Sequence, residues 1–155
     1  MAELTAILQS DWVAHAGIHV HANATAQSIA NGATYIKVVN FSDNDPALNC
    51  TPDAANDQIT IGANGIYSID GAFSFSAANN ITFFGSLFVD GGEVESLHWT
   101  RKIGTAGDIG NSTFTGLLSL TAGQVIDFRV RHNDVSPVNA TFSYMNLNCT
   151  KIDKA

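Results

Sequence analysis

Positive charge is scarce in this sequence. Only seven of the 155 residues are Lys or Arg, against 14 Asp and Glu, which gives a formal net charge of −7. Proteins that bind nucleic acid or anionic membranes use clustered cations to attract phosphates. The sequence contains no Lys/Arg cluster, and we therefore expect neither nucleic acid nor a membrane among its partners.

Long hydrophobic runs are missing too. No apolar stretch reaches the roughly 18 residues that a membrane-spanning helix needs. The first segment, MAELTAILQSDWVAHAG, has neither the basic start nor the long apolar core of a secretory signal. These two absences predict synthesis in the cytoplasm.

Cysteine is rare, with only Cys50 and Cys149 in the chain. Their spacing matches no metal or redox motif. Because no export signal is expected, reduced and half-buried thiols are favoured over a disulfide, which is the alternative.

Helical periodicity is nearly absent. Short runs of alternating polar and apolar residues are separated by Gly, Asn, Asp and Ser, a pattern typical of an all-β sandwich or barrel. Nine strands are predicted, at Ile18–Ala22, Thr34–Val39, Gln58–Ile61, Gly65–Ser76, Ile81–Val89, Val94–Lys102, Thr113–Leu120, Val125–His132 and Thr141–Ile152.

Residues 1–32 are less regularly patterned than the rest of the chain. We expect them to form an N-terminal arm with the first strand, followed by one β-domain over residues 33–155. Leu4, Ile7 and Leu8 have helical spacing, but the turn that they predict is too short to be stable alone. Together with Trp12 they would suit an apolar anchor that docks the arm on another protein.

Two predicted strands carry unusual side chains on the face expected to point outward. Phe142 and Tyr144 alternate on the last strand, opposite its apolar set. Asp127, Arg129 and Arg131 alternate on an earlier strand in the same way. These residues either meet water or contact another subunit, where Arg can bind a carboxylate and aromatic side chains fill interface cores.

The order of the segments resembles a known family. GIYSIDGAFSFS is followed by FFGSLFVDGG, by the hairpin STFTGLLSLTAGQVIDFRVRHN and by the final strand ATFSYMNLNCTKI. This order is similar to the trimeric jelly roll of tumour necrosis factor and the complement globular heads, over residues 41–152. The resemblance implies two antiparallel sheets and a homotrimer. It would place six residues at the trimer interface: Asp70, Asp127, Arg129, Arg131, Phe142 and Tyr144.

The sequence lacks the collagen-like stalk or membrane anchor of many family members. A bare domain rich in Ala, Asn, Gly and Thr is similar to jelly-roll trimers on bacteriophage particles. The resemblance implies a virion structural protein, made in the host cytoplasm, that decorates the capsid and binds the major capsid protein lattice or another virion protein. The alternative is a receptor- or glycan-binding head, such as a fibre tip or a lectin-like module.

Binding side chains other than the interface set are few. His98, Trp99 and Arg101 have a composition suited to stacking against a sugar or a protein partner. The alternative for Trp99 is a place at the edge of the core.

Few residues suggest metal binding or catalysis. His19 and His21 share one side of a predicted strand and could supply two metal ligands, but spacing assigns no third. Asp43, Asp45 and Asp53 flank a Pro-containing loop and could bind calcium. Glu93 and Glu95 could form a catalytic carboxylate pair, but they lie beside an exposed turn. No nucleophile motif is present. We expect no enzyme activity, no bound metal and no cofactor.

Overall fold

The computed structural model describes residues 13–105 and 107–153. Strands dominate this part of the chain, and the predicted all-β class is confirmed. The strands are β1 (His15–Val20), β2 (Gln27–Ile29), β3 (Ile36–Lys37), β4 (Asp43–Asn44), β5 (Cys50–Asp53), β6 (Gln58–Ile61), β7 (Gly65–Ala77), β8 (Ile81–Val89), β9 (Gly92–Glu93), β10 (Trp99–Ile103), β11 (Ile109–Leu120), β12 (Val125–His132) and β13 (Val138–Asp153). Among these residues, no helix is long and apolar enough to cross a membrane.

Two antiparallel sheets pack face to face. Sheet 1 has the strand order β11-β7-β13-β1-β4, with β2 also paired to β13. Sheet 2 has the order β10-β8-β12-β6-β5, with β3 beside β12 and β9 beside β8. The order is non-sequential, so the chain crosses repeatedly between the sheets, and the predicted antiparallel jelly-roll sandwich is confirmed.

Alternation along the strands builds the core between the sheets. On β7, Tyr67, Ile69 and Phe75 are fully buried, while Asp70 on the other face is exposed. Aromatic rings from both sheets meet in this core, and the Phe73 ring lies 5.2 Å from that of Phe128. Full burial of one such side chain contributes about 1.5–3 kcal/mol, so this shared core holds the two sheets together.

Residues 13–32 do not form a separate arm. β1 pairs with β13 from His15↔Thr150 to Val20↔Met145, and Ile18 is fully buried. β2 pairs with another part of β13, through Ile29↔Val138. The predicted boundary at residue 32 is therefore wrong, because both strands complete sheet 1. The proposed anchor residues Leu4, Ile7, Leu8 and Trp12 lie outside the described residues.

Candidate functional site

A β-bulge on β13 separates two residues that were predicted to share a face. Phe142 pairs with Phe75 and Tyr144 pairs with Ser74, so Ser143 is an extra residue in β13. Phe142 is 1% exposed and its ring stacks on that of Phe75 at 5.2 Å. Its predicted place at a subunit interface is wrong, because the bulge turns the side chain into the core.

The outer face of sheet 1 is mostly polar, with exposed apolar side chains along two strands. Asp70 and Tyr144, both predicted at the trimer interface, point outward here. Asp70 Oδ1 accepts a hydrogen bond from the Thr115 hydroxyl at 2.6 Å. The exposed apolar side chains are Ile109 at 64%, Leu117 at 62%, Tyr144 at 49% and Ile152 at 53%. Such a surface suits contact with another protein rather than chemistry.

A shallow depression of about 810 Å³ lies on this face, between β1, β7, β11 and β13. Its rim includes His19, His21, Asp45 and Tyr144. His19 Nδ1 lies 2.9 Å from Asp45 Oδ1, and its Nε2 lies 3.9 Å from Asp43 Oδ2. The carboxylates of Asp45 and Asp43 therefore lie beside different nitrogen atoms of the His19 ring, and the three side chains do not point at one common position.

The His and Asp residues that were considered as possible metal ligands are not grouped around one point in the described part of the chain. No group of three or more His, Cys, Asp or Glu is placed there to hold an ion. Asp53 uses its carboxylate within its own turn, where Oδ1 accepts the Asn56 N–H at 3.2 Å and Oδ2 accepts the Asn56 amide at 2.7 Å. This leaves Asp53 as a cap of the 3-10 helical turn Ala54–Asn56.

Asp127, Arg129 and Arg131 lie on the other sheet. Asp127 is only 4% exposed, and it accepts hydrogen bonds from Arg129 Nε at 2.6 Å and Nη2 at 2.9 Å. These bonds raise the pKa of Arg129. Lys37 Nζ approaches the same carboxylate at 3.8 Å. The six residues predicted at one trimer interface therefore do not share a surface, and Asp127 is an internal partner of its own subunit.

The two arginines of β12 lie on aromatic rings. The Arg129 guanidinium is 4.4 Å from the Phe88 ring centroid, and that of Arg131 is 4.3 Å from Phe84 and 5.2 Å from Tyr35. We call these five residues the arginine–aromatic cluster. Cation–π contacts of this kind contribute about 0.5–2 kcal/mol each.

Sequence reasoning missed the aromatic half of this cluster. Phe84 and Phe88 share the outward parity of FFGSLF, a signal that was available in the sequence. Tyr35 falls within the predicted strand Thr34–Val39, but the observed strand β3 covers only Ile36–Lys37, so Tyr35 lies just before it and alternation does not orient its side chain. Burial and a hydrogen bond with Glu93 raise the pKa of Tyr35, and Glu93 Oε1 in turn lies 2.8 Å from His98 Nε2.

The residues predicted to bind a ligand do not form one site. His98 is exposed beside Glu93, and Arg101 is half-buried beside Gly110. Trp99 is only 7% exposed and its ring lies 4.3 Å from that of Phe73. Its predicted ligand-binding role is wrong, because the alternation of β10 turns the indole into the core. This outcome corresponds to the alternative, a core position.

Solved structures that share this architecture include three at 13–16% identity. The first is Eiger TNF from S. frugiperda, with a TM-score of 0.65, 13% identity, and coverage of 92% of this chain and 95% of that chain. The globular domain of the zebrafish complement 1qA protein has a TM-score of 0.63 and 16% identity, covering 92% and 99%. Murine APRIL at pH 5.0 has a TM-score of 0.56 and 14% identity, covering 89% and 99%.

No protein-family model matches the sequence, and no curated protein matches it significantly. The likeness to known proteins is therefore one of structure, with identities of 13–16% for these three structures. It extends over nearly the whole chain and includes both sheets. The chain has the TNF-like jelly-roll fold.

Proposed function

We propose that this protein is a homotrimer whose subunits meet through the outer face of sheet 1, and that the trimer decorates the capsid of a virus particle. The observation that carries the trimer is the distribution of exposed apolar side chains. Seven large ones are exposed among the described residues, and four of them lie on two strands of sheet 1. The remaining three, Val13, Leu48 and Val135, lie outside the strands.

The same face permits close approach of a second copy. Strand β7, which lies between β11 and β13, presents Ser68, Ala72 and Ser74 outward, all small side chains. Neighbouring β13 presents Asn146 and Asn148. Small side chains allow two backbones to approach, and burial of each flanking apolar side chain contributes on the order of 1 kcal/mol.

The decoration role rests on composition and symmetry. A closed three-fold trimer matches the three-fold positions of a capsid lattice, and such a ring closes through head-to-tail contacts between two different patches of each subunit. The chain has few cations and many Ala, Asn, Gly and Thr residues. This composition is similar to that of the jelly-roll trimers on bacteriophage particles. The role requires no catalytic centre. In this proposal the trimer is located on the virion surface, and Leu4, Ile7, Leu8 and Trp12 contact the lattice.

Light scattering of the purified chain tests the trimer. Wild type is expected at three times the chain mass of 16.4 kDa. Leu117→Asp introduces a charge on the proposed interface and should give monomers. Val135→Asp is the matched control, because Val135 is 84% exposed but lies in a loop, and it should remain trimeric. A monomeric wild type would overturn the proposal.

Binding to capsids tests the decoration role. The trimer should saturate capsids of the virus that encodes it and raise their melting temperature. The second candidate, a receptor- or glycan-binding head, is favoured by the arginine–aromatic cluster on sheet 2. A protein that ignores capsids but binds host cells or a glycan array, and loses that binding in Arg131→Ala, would establish the second candidate instead.

A further inference from the structure

Two thiols from opposite sheets meet near one end of the sandwich. Cys50 is the first residue of β5 in sheet 2, and Cys149 lies on β13 in sheet 1. Both are free thiols. The Tyr67 hydroxyl lies 3.8 Å from Cys50 Sγ, and Cys149 pairs with Ile69, two residues further along β7, with its side chain buried between the sheets. The two thiols are thereby close enough to interact. No other cysteine exists in the chain, so any thiol chemistry of this protein belongs to this pair.

The two thiols differ in accessibility. Cys149 is 1% exposed, whereas Cys50 is half-buried at the edge of sheet 2. Cys50 Sγ also lies 3.8 Å from the Tyr67 hydroxyl, which donates a hydrogen bond to the Ala63 carbonyl at 2.7 Å. Cys50 is therefore the member of the pair that a reagent from solution can reach in the folded chain.

The two thiols also differ in pKa. Interaction with the Cys149 thiol is the largest of the effects that lower the pKa of Cys50 to about 6. The same interaction and burial raise the pKa of Cys149. Since the thiolate is the nucleophile in thiol chemistry, the more accessible member of the pair, Cys50, is the reactive one. This order, an accessible nucleophile backed by a buried thiol, is that of an attacking and a resolving cysteine.

We propose that Cys50 and Cys149 are a thiol–disulfide exchange site, in which Cys50 attacks a low-molecular-weight disulfide such as oxidised glutathione and Cys149 resolves the product into an intersheet disulfide. In the first step the Cys50 thiolate bonds to one glutathione sulfur. The glutathione S–S bond breaks, and the other half leaves as a thiolate that takes up a proton.

In the second step Cys149 loses its proton and its sulfur attacks Cys50 Sγ. The mixed disulfide breaks and the second glutathione leaves as a thiol. The two protein thiols have then lost two protons and two electrons, and one glutathione disulfide has become two thiols. The new bond ties the edge strand β5 of sheet 2 to β13 of sheet 1, which restrains the separation of the sheets in unfolding.

Mass spectrometry of the folded full-length chain with oxidised glutathione tests this proposal. Wild type should lose the mass of two hydrogen atoms, retain no glutathione and lose both titratable thiols. Cys149→Ala should instead retain one glutathione, mapped to Cys50, because no resolving thiol remains. Cys50→Ala should remain unmodified while folded and become modified in urea, since Cys149 is buried.

The measurement on the wild-type protein is by itself enough to overturn the proposal, so the test does not depend on whether the variants fold. If the folded wild type keeps two free thiols, or accumulates glutathione at Cys50 without resolving it, the proposal is overturned. A non-reducing gel should show a single-chain band, because a disulfide between subunits would contradict the intersheet bond. The oxidised protein should also melt at a higher temperature than the reduced one, and a reducing agent should reverse the shift. These results do not depend on trimer formation or on capsid binding.

Discussion

Phe142 and Tyr144 are two residues apart on β13, yet their side chains point to opposite sides of sheet 1. Regular alternation would place residues i and i+2 on one face. The register shift between their partners, Phe75 and Ser74, shows that Ser143 is the extra residue of a bulge. One inserted residue therefore decides that the phenyl ring fills the core and that the phenol faces outward.

The first prediction compares alanine substitutions on either side of this bulge. Phe142→Ala should lower the free energy of unfolding by about 3–5 kcal/mol, because it removes a buried ring and leaves a cavity. Tyr144→Ala should cost the subunit less than about 1 kcal/mol, but it should weaken self-association. Urea unfolding at a dilution where both variants are monomeric measures the first effect, and light scattering measures the second. Equal unfolding costs would contradict the bulge.

The second prediction concerns Gly85, which makes room for the Trp99 indole. A Cβ at Gly85 would lie 2.1 Å from Trp99 Nε1. Gly85→Ala should therefore displace the ring and cost about 1–3 kcal/mol or more. In a Trp12→Phe background Trp99 is the only tryptophan, and its fluorescence should shift to the red as the indole gains contact with water.

Gly104→Ala is the matched control for this experiment. Nothing lies within 4 Å of a Cβ placed at Gly104, so this variant should keep the stability and emission of the parent. A Gly85→Ala protein that is as stable as Gly104→Ala would show that Trp99 does not occupy this position.

The third prediction concerns the buried carboxylate of Asp127. Asp127→Ala should cost about 2–4 kcal/mol, because it leaves Arg129 and Lys37 without the carboxylate that they share, and the partial exposure of Arg129 moderates the loss. Asp108→Asn, at an exposed position, should change stability by less than about 0.5 kcal/mol.

A double-mutant cycle separates the ion pair from the packing around it. Asp127→Ala combined with Arg129→Met should cost less than the sum of the two single changes, since the second removes a cation that the first leaves unpaired. Additive costs, measured by chemical denaturation, would mean that the pair contributes nothing.

Strand positions could be predicted well where turn chemistry marks both ends. The predicted bounds of Gln58–Ile61, Ile81–Val89 and Val125–His132 coincide with β6, β8 and β12. At the end of β8, Asp90 and Gly91 have φ values of 49° and 80°, the left-handed backbone that Asp tolerates and Gly adopts freely. The local sequence therefore contains the physical cause of the boundary.

The short edge strands could not be predicted in the same way. β2, β4 and β9 have two or three residues each, too few for alternation to be distinguished from chance. They form because a longer neighbour offers unpaired backbone groups, as when β4 pairs with β1 through Asp43↔His19. Such strands depend on tertiary contacts that a local pattern does not contain.

The candidate site shows a different limit of sequence reasoning. Alternation indicated that Asp70, Tyr144 and Arg131 point away from the core, and all three do. Alternation contains no information about the sheet to which a strand belongs. The grouping of these residues at one interface came from the family resemblance, which did not separate the outer faces of the two sheets. Phe142 was misplaced for a separate reason, because a bulge is a departure from the period on which the prediction depends.

The last prediction concerns pH and Asp57, which ends the 3-10 turn in a left-handed conformation with φ of 56°. Its Oδ1 accepts the Phe41 N–H at 3.0 Å. Burial is the main cause that raises the pKa of Asp57 above its usual 3.8. The ionised carboxylate is thus less stable in the folded chain than in the unfolded one. This cost is fully present above the folded-state pKa and disappears below 3.8, where both states are protonated.

Asp57→Asn should remove this cost, because an amide oxygen can accept the same hydrogen bond and Asn tolerates left-handed backbone. The variant should melt at a higher temperature than wild type at pH 7, and the difference should shrink towards zero at pH 3. Calorimetry at the two pH values measures both differences. Asp108→Asn makes the same change in net charge at an exposed site, and it should show no such convergence. A stabilisation by Asp57→Asn that is equally large at pH 3 would mean that backbone preference, and not the buried charge, is its cause.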